Sequence, residues 1–326
     1  MMSPPFSSRA VVVALGGNAL LPEGERGDIH QQFAHTRESL APIVELARAG
    51  WRIAIVHGNG PQIGDELYRN EMARRELPPL PLGVLVAATA GWIGYMIQQS
   101  LQNALEKHGI AREVVTLVTQ VLVDPAHAAT REMSKPIGRT LAPNTARTLE
   151  RELGWTVRRE QRGYRRLVAS PIPIDIVEKN QIRALVDSGT IVIAAGGGGT
   201  PVYRHPVLRL EGVDAVVDKD RAAAVLAQAI GAEVLLILTN VEGVFRDFGT
   251  ERAQLLRQMS VAEAETLLQT DQLGRGSMAP KLEAALDFLR QGGKRSYIAK
   301  LNAGLAAVEG RAGTLIENHA ADQASP

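Results

Sequence analysis

Short apolar runs alternate with longer amphipathic stretches along this chain. Val11–Leu15, Arg52–Val56, Val114–Thr119, Ile191–Ala195 and Val234–Leu238 are brief and rich in β-branched residues, as expected of strands buried on both faces. Between them, Thr36–Ala49, Ile93–His108, Arg221–Ile230 and Pro280–Gln291 carry apolar residues at helical spacing. Strands alternating with helices predict an α/β chain with a parallel sheet covered on both faces, whose ligands bind beyond the carboxyl ends of the strands. Asp124 to Arg166 breaks the rhythm with Pro125, Pro136 and Pro143, a cluster of Arg158, Arg159, Arg162, Arg165 and Arg166, and little continuous apolar run. It reads as a protruding subdomain with few apolar contacts and a solvated arginine face, because Glu150, Glu152 and Glu160 are interleaved and aromatics are sparse. The longest uncharged stretch, Leu77 to Ser100, has a continuous apolar part shorter than the roughly 20 residues of a spanning helix, and is expected to be a buried helix.

Composition narrows the ligand. The 326 residues are 45% hydrophobic, enough for a sizeable core in one large or two modest domains. With 36 basic and 35 acidic residues the formal charge is +1, so no overall field recruits nucleic acid or an anionic membrane, and a small molecule is the expected partner. The absence of cysteine removes disulfides, thiolate metal sites and a cysteine nucleophile, leaving oxygen and lysine chemistry. The apolar run after Arg9 is too short for a signal-peptide core, and a cytoplasmic location is expected. Residues 1–8 and 319–326 read as flexible tails.

Three glycine turns follow predicted strands. Gly16-Gly17-Asn18 fits either an ordinary βα turn or one whose backbone N–H groups approach an anion. In His57-Gly58-Asn59-Gly60-Pro61-Gln62, Pro61 suits the first turn of a helix whose free N–H groups face the strand ends. His57 there reads as a structural hydrogen-bonder or as a general base. The spacing Gly58, Gly60, Gly64 departs from G-x-G-x-x-G, which disfavours a nicotinamide oxidoreductase, and no G-x-x-x-x-G-K-[ST] loop is present. The run Gly196 to Gly199 is costly in conformational entropy and is expected to let backbone approach a ligand closely.

Phosphoryl transfer needs positive charge on the transferred and leaving oxygens more than it needs covalent chemistry. Lys135 lies between Ser134 and Pro136, Lys219 between Asp218 and Asp220, and Lys281 follows Gly276-Ser277-Met278-Ala279-Pro280. Each alone reads first as a solvated charge. Together, beside three glycine turns, they predict a phosphoryl-transfer enzyme.

The motifs VVALGGN (12–18), HGNGPQIG (57–64), KPIG (135–138), SPIPIDI (170–176), GGGG (196–199), DKD (218–220) and GSMAPK (276–281) together closely resemble those of the carbamate kinases, in the amino-acid kinase superfamily. The resemblance runs over roughly residues 10–317. It implies an open, mainly parallel eight-stranded sheet in an α/β/α sandwich over 9–318, a homodimer, and 124–166 as a protruding lid with Lys135 at its tip. Many amino-acid kinases place a lysine two residues before the GG turn; here that position is Ala14, and the resemblance transfers its charge to Lys135. Two departures, Lys300-Leu301-Asn302-Ala303 where SLEN is common and Ala169 where proline is common, fall outside the phosphate motifs.

The implied reaction is ATP + carbamate ⇌ ADP + carbamoyl phosphate. Gly16, Gly17, Asn18, Gly58, Asn59 and Gly60 would bind carbamate, and Lys135, Lys219 and Lys281 would neutralise the transferred group while Asp220 orients the lysines. Asp218, Lys219, Thr239, Asn240, Val241, Gly243, Val244, Met278 and Lys281 would hold the nucleotide, with Mg²⁺ carried mainly by its phosphates rather than by protein ligands. Another amino-acid or nucleotide monophosphate kinase, disfavoured by Ala14, and a non-catalytic nucleotide or acyl-phosphate sensor, disfavoured by the three lysines, are the alternatives.

Overall fold

The computed structural model describes residues 9–17, 20, 21, 27–160, 162–270, 273 and 278–318. The tails 1–8 and 319–326, and Asn18, Gly276 and Ser277 among the motif residues, lie outside the described residues.

β1 (Ala10–Leu15) is buried throughout, and its two-residue period sends Val11, Val13 and Leu15 into one core and Ala10, Val12 and Ala14 into another. The single helix predicted over Thr36–Ala49 is two, α1 (Ile29–Ser39) and α2 (Ala41–Arg48). Pro42 lies in the first turn of α2, where its missing N–H costs nothing, but it could not have continued α1. β2 (Arg52–His57) leads into α3 (Gly60–Ala73), and α4 (Leu82–Lys107) starts after Pro81. Among the described residues no helix is long and apolar enough to cross a membrane.

The strand expected over Val114–Thr119 is shorter, β3 (Val114–Thr116), and the next strand, β4 (Gln120–Val123), joins a different sheet. α5 (Ala128–Arg131), β5 (Met133–Leu141), α6 (Pro143–Leu153), β6 (Val157–Glu160) and β7 (Gly163–Ala169) come next; β5, β7 and β6 form a separate three-stranded antiparallel sheet. The chain returns through β8 (Pro173–Ile176), α7 (Lys179–Asp187), β9 (Ile191–Ile193), β10 (Thr200–His205) and β11 (Arg209–Gly212) to α8 (Lys219–Ala229) and β12 (Val234–Thr239). It ends with β13 (Val244–Arg246), β14 (Gln254–Leu256), β15 (Gln258–Ser260), α9 (Val261–Leu268), α10 (Met278–Arg290), β16 (Arg295–Lys300), α11 (Gly304–Val308) and β17 (Thr314–Glu317).

The main sheet has eight strands in the order β15-β17-β16-β12-β1-β2-β9-β3, and every neighbouring pair is parallel except β16 with β17. One core packs side chains of α7, α8, α9 and α10 on a face of this sheet, and the second packs those of α2 and α4 on the other. The parallel sheet covered on both faces, expected from the alternation, and the eight-stranded α/β/α sandwich that the resemblance implies are the observed architecture. A third cluster joins the three-stranded sheet to the body: Ile137 and Val168 pack with Ile63, Leu67, Leu82, Leu85, Val86 and Val216.

That cluster corrects two expectations for residues 124–166. The segment does make buried apolar contacts at its root, where Ile137 is 1% exposed. Nor is Lys135 at a tip. It pairs with Val168 at the end of the β5–β7 ladder where the chain leaves and re-enters the body, whereas the far end is the β6–β7 turn around Glu160 and Gly163. Ile137 is a lone bulky aliphatic between Pro136 and Gly138, and its burial with Val168, 31 positions along the chain, is set by tertiary packing alone.

Candidate active site

A cavity of about 880 Å³ opens where the turns after β1 and β2 meet the first turn of α8, with the three-stranded sheet as its opposite wall. Gly17, Gly58, Asn59, Gly60, Lys135, Asp218, Lys219, Asp220 and Lys281, far apart in sequence, line it together. Gly16 sits behind, at the end of β1.

Asp218 is where α8 begins: its Oδ1 accepts from the backbone N–H of Asp220 at 2.9 Å, capping the helix, and its Oδ2 accepts from Lys135 Nζ at 3.2 Å. Lys135 Nζ also donates to the Val217 carbonyl at 3.0 Å. Burial works to raise the Asp218 carboxyl, but Lys135, Lys219 and Lys281 outweigh it and hold it well below the usual carboxylate range. Asp220, 2% exposed, bridges two ammonium groups: Oδ1 pairs with Lys219 Nζ, and Oδ2 accepts from Lys281 Nζ at 3.2 Å. Burial lowers Lys219 from the ordinary lysine value, Asp220 opposes that, and Lys281 adds to it. The result is three lysines gathered about two carboxylates, with cationic capacity facing the glycine turns.

Those turns offer the complementary donors. α3 starts at Gly60 with Pro61 in its first turn and no side-chain cap, and the Asn59 side chain instead donates through Nδ2 to Thr89 Oγ1 at 2.9 Å. Its first N–H groups therefore remain available to an anion. The glycine run has a different explanation from the expected one. A Cβ on Gly196 would lie 2.4 Å from His57 Nε2, on Gly197 2.3 Å from Asn59 Nδ2, on Gly198 2.3 Å from the Val217 carbonyl oxygen, and on Gly199 2.2 Å from Val121. The close approach is to the protein's own atoms, of which only those of Asn59 line the cavity, and of the four glycines only Gly197 reaches it.

Thr239 ends β12, the strand beside β1, Asn240, Val241 and Gly243 follow it, and all four stand off from the cavity lining. Val244 is fully buried and its N–H donates to Thr314 Oγ1 at 2.8 Å, so it frames this loop rather than facing outward. Met278 opens α10 one turn before Lys281. Among the described residues no three His, Asp or Glu side chains converge as a metal site, and the cavity's two aspartates are engaged by lysines.

Arg139, Arg162 and Arg165 line the same cavity, although the arginine cluster reads from sequence as a solvated face. Arg165 donates to the Pro136 carbonyl at 3.2 Å, and the Arg166 guanidinium lies 4.1 Å from the Trp155 ring centroid. The missed signal was strand periodicity: β7 presents alternate residues to opposite faces, so consecutive arginines cannot all face solvent alike.

The sequence profile of the amino acid kinase family matches residues 9–300. A carbamate kinase from Pyrococcus horikoshii is 43% identical over 309 residues, covering 94% of this chain and 98% of its own. One from Trichomonas vaginalis is 41% identical, also over 94% of this chain and 98% of its own. Among solved structures, carbamate kinase from Giardia lamblia bound to citric acid superposes with a TM-score of 0.89 at 36% identity, covering 95% of this chain and 98% of that one. The same Giardia enzyme bound to AMP-PNP gives 0.86 at 36% identity, with the same coverage.

Proposed function

This chain belongs to the amino acid kinase family, within its carbamate kinases, and from that premise we propose how its residues carry the reaction ATP + carbamate ⇌ ADP + carbamoyl phosphate. The observation that carries the reading is the sharing of Asp220 by Lys219 and Lys281, opposite Lys135 and next to the turns bearing Gly17, Gly58 and Gly60.

Carbamate lies on the backbone N–H groups of Gly17 and Gly60, while Gly58, whose own N–H donates to the Leu15 carbonyl at 3.0 Å, shapes its seat together with Gly16 and Asn59. Its carboxylate oxygen attacks the γ-phosphorus of ATP, forming the O–P bond as the bond to the β-phosphate oxygen breaks, and ADP leaves with that electron pair. The nucleophile is already anionic, so no base is needed. Lys219 and Lys281 stand where charge builds on the transferred group, and Asp220 prevents them from drifting apart or collapsing onto the product. Lys135 approaches from the three-stranded sheet and supplies the cation that Ala14 does not. Because burial holds Lys219 below its ordinary value, an arriving phosphate strengthens its hold on the proton. Asp218, Thr239, Asn240, Val241, Gly243, Val244 and Met278 frame the nucleotide. Mg²⁺ fits here as a nucleotide-borne ion held mainly by phosphate oxygens, since both cavity aspartates already face lysines. The active molecule is proposed to be a homodimer.

Purified protein with Mg²⁺, ADP and carbamoyl phosphate is expected to form ATP, and with ATP to leave N-acetylglutamate unphosphorylated. Lys219→Ala and Lys281→Ala should each lower kcat by about 100-fold, on the order of 3 kcal/mol of transition-state stabilisation. Folded protein that forms no ATP, or folded variants with near-normal turnover, would sink the assignment of this cavity.

A further inference from the structure

The HGNGPQIG and KPIG motifs end in glycines whose place in the reaction is still unexplained, and the fold presses these two glycines together. A Cβ on Gly64 would lie 1.9 Å from Gly138 Cα and 2.4 Å from Gly138 N; one on Gly138 would lie 3.0 Å from Gly64 Cα. The neighbours are backbone, which cannot swing aside as a side-chain tip can. Gly64 lies inside α3, where glycine is less favourable than alanine by roughly 1 kcal/mol, so local helix stability does not explain it. Gly138 has φ +73, a conformation that other residues rarely adopt.

The flanking residues make the same joint. Ile63 and Ile137, each next to one of the glycines, share a buried cluster. Arg139 grips Asp65 with two bonds, Nε to Oδ1 and Nη2 to Oδ2, both 2.7 Å. Arg165 holds the Pro136 carbonyl. The β5–β7 ladder is irregular on both sides of this stretch, between Met133 and Lys135 and again between Ile137 and Leu141. Within 135–139 only Lys135, Pro136 and Ile137 pair in register, with Val168, Leu167 and Arg166; beyond Ile137 the ladder does not set the path of Gly138 and Arg139, and the contacts with α3 do.

We infer that Gly64 and Gly138 are positioning residues for phosphoryl transfer: their backbone contact, braced by Asp65 and Arg139, seats β5 against α3 and so sets the position of Lys135 over the phosphate-binding amides. This rests on the role of Lys135 given above. The contact joins the element that presents the Gly60 amide to the element that presents the Lys135 ammonium, the two sides between which the transferred group must pass. A Cβ on Gly64, 1.9 Å from the Gly138 backbone, pushes those sides apart by an ångström or more, and hydrogen bonds near 3 Å do not survive such a displacement.

In ATP synthesis from ADP and carbamoyl phosphate, Gly64→Ala should lower kcat by about 10-fold or more while KM for ADP stays within about 2-fold, and helix content by circular dichroism should be retained. Adding Lys135→Ala to Gly64→Ala should cost far less than it does in the parent, since both act through one ammonium. If Gly64→Ala does not fold, Arg139→Ala, at an exposed guanidinium, takes its place. Its kcat should fall several-fold at unchanged KM for ADP, and Arg139→Lys, with the charge but not the fork, should recover only part. Full kcat in folded Gly64→Ala, or in Arg139→Ala where it stands in, overturns the inference, as does a rise in KM for ADP matching the loss of kcat. If Lys135→Ala alone keeps full kcat, the role of Lys135 fails and the inference falls with it; if Lys135→Ala is impaired while Gly64→Ala is not, only the inference fails.

Discussion

His57 ends β2 with none of its surface in water, and burial pushes its imidazole down to about 4 against the pull of backbone groups of Gly58 and Ala90. Nδ1 donates to the Gly58 carbonyl at 3.1 Å, and Nε2 faces the glycine run. The ring is absent from the cavity lining, so of its two sequence readings the structural one holds and the general base does not. Its chemistry appears instead in stability. Between the ordinary value of 6.5 and about 4, the unfolded chain binds a proton that the folded chain refuses, so unfolding free energy falls as pH falls across that window. Urea titrations should find the protein less stable at pH 5 than at pH 7 by about 2 kcal/mol through this residue. His57→Gln should remove that part of the slope whatever it does to absolute stability. An unchanged slope in the variant would show that the histidine is not held neutral.

At the scale of elements, α8 shows how a short motif becomes a site. Asp218 must cap the helix, which places Lys219 and Asp220 in its first turn beside the ends of β1 and β2, and α10 brings Lys281 across to the same carboxylate. The three-stranded sheet behaves differently along its length. Its root is fastened by Ile137 and Val168 in a buried cluster, while Arg158 and Arg159 near its far end are exposed. Local opening is cheapest where few apolar contacts must break. Hydrogen exchange should therefore be fast over residues 157–165 and slow around 136–138 in the free protein, and ADP with carbamoyl phosphate should slow the former much more than the latter. Uniformly fast exchange across the whole subdomain would mean that the apolar root does not hold it.

For the whole molecule, the outer stripe of α4 is the feature that one chain leaves half-covered, Tyr95 meeting Phe33 edge-on at 6.2 Å between ring centroids. Val84 and Tyr95 are 48% and 56% exposed, with Ala88 and Gly91 between them at helical spacing. A second copy of the chain is the proposed cover, and light scattering at micromolar concentration should give about twice the 35.1 kDa chain mass. A mass that stays at one chain would refute the dimer, and Tyr95→Glu should shift it toward the monomer. What the sequence determined by itself was whatever depends on local order. Runs such as Val11–Leu15 are buried strands because of their β-branched composition, glycine turns follow them, and Asp218-Lys219-Asp220 must open a helix because an aspartate precedes an apolar periodic run. Tertiary structure alone decided what depends on two distant segments meeting. It ended the strand from Val114 at Thr116 and sent the strand from Gln120 to another sheet, turned the Gly196–Gly199 run against His57, Asn59 and Val217, drew Arg165 into the cavity wall, and put Lys135 at the root of its subdomain. The physical reason is the same in each case: strand and turn propensities act over a few neighbouring residues, whereas the space available at a backbone atom is set by whichever segment packs against it, and no spacing along the chain encodes that partner.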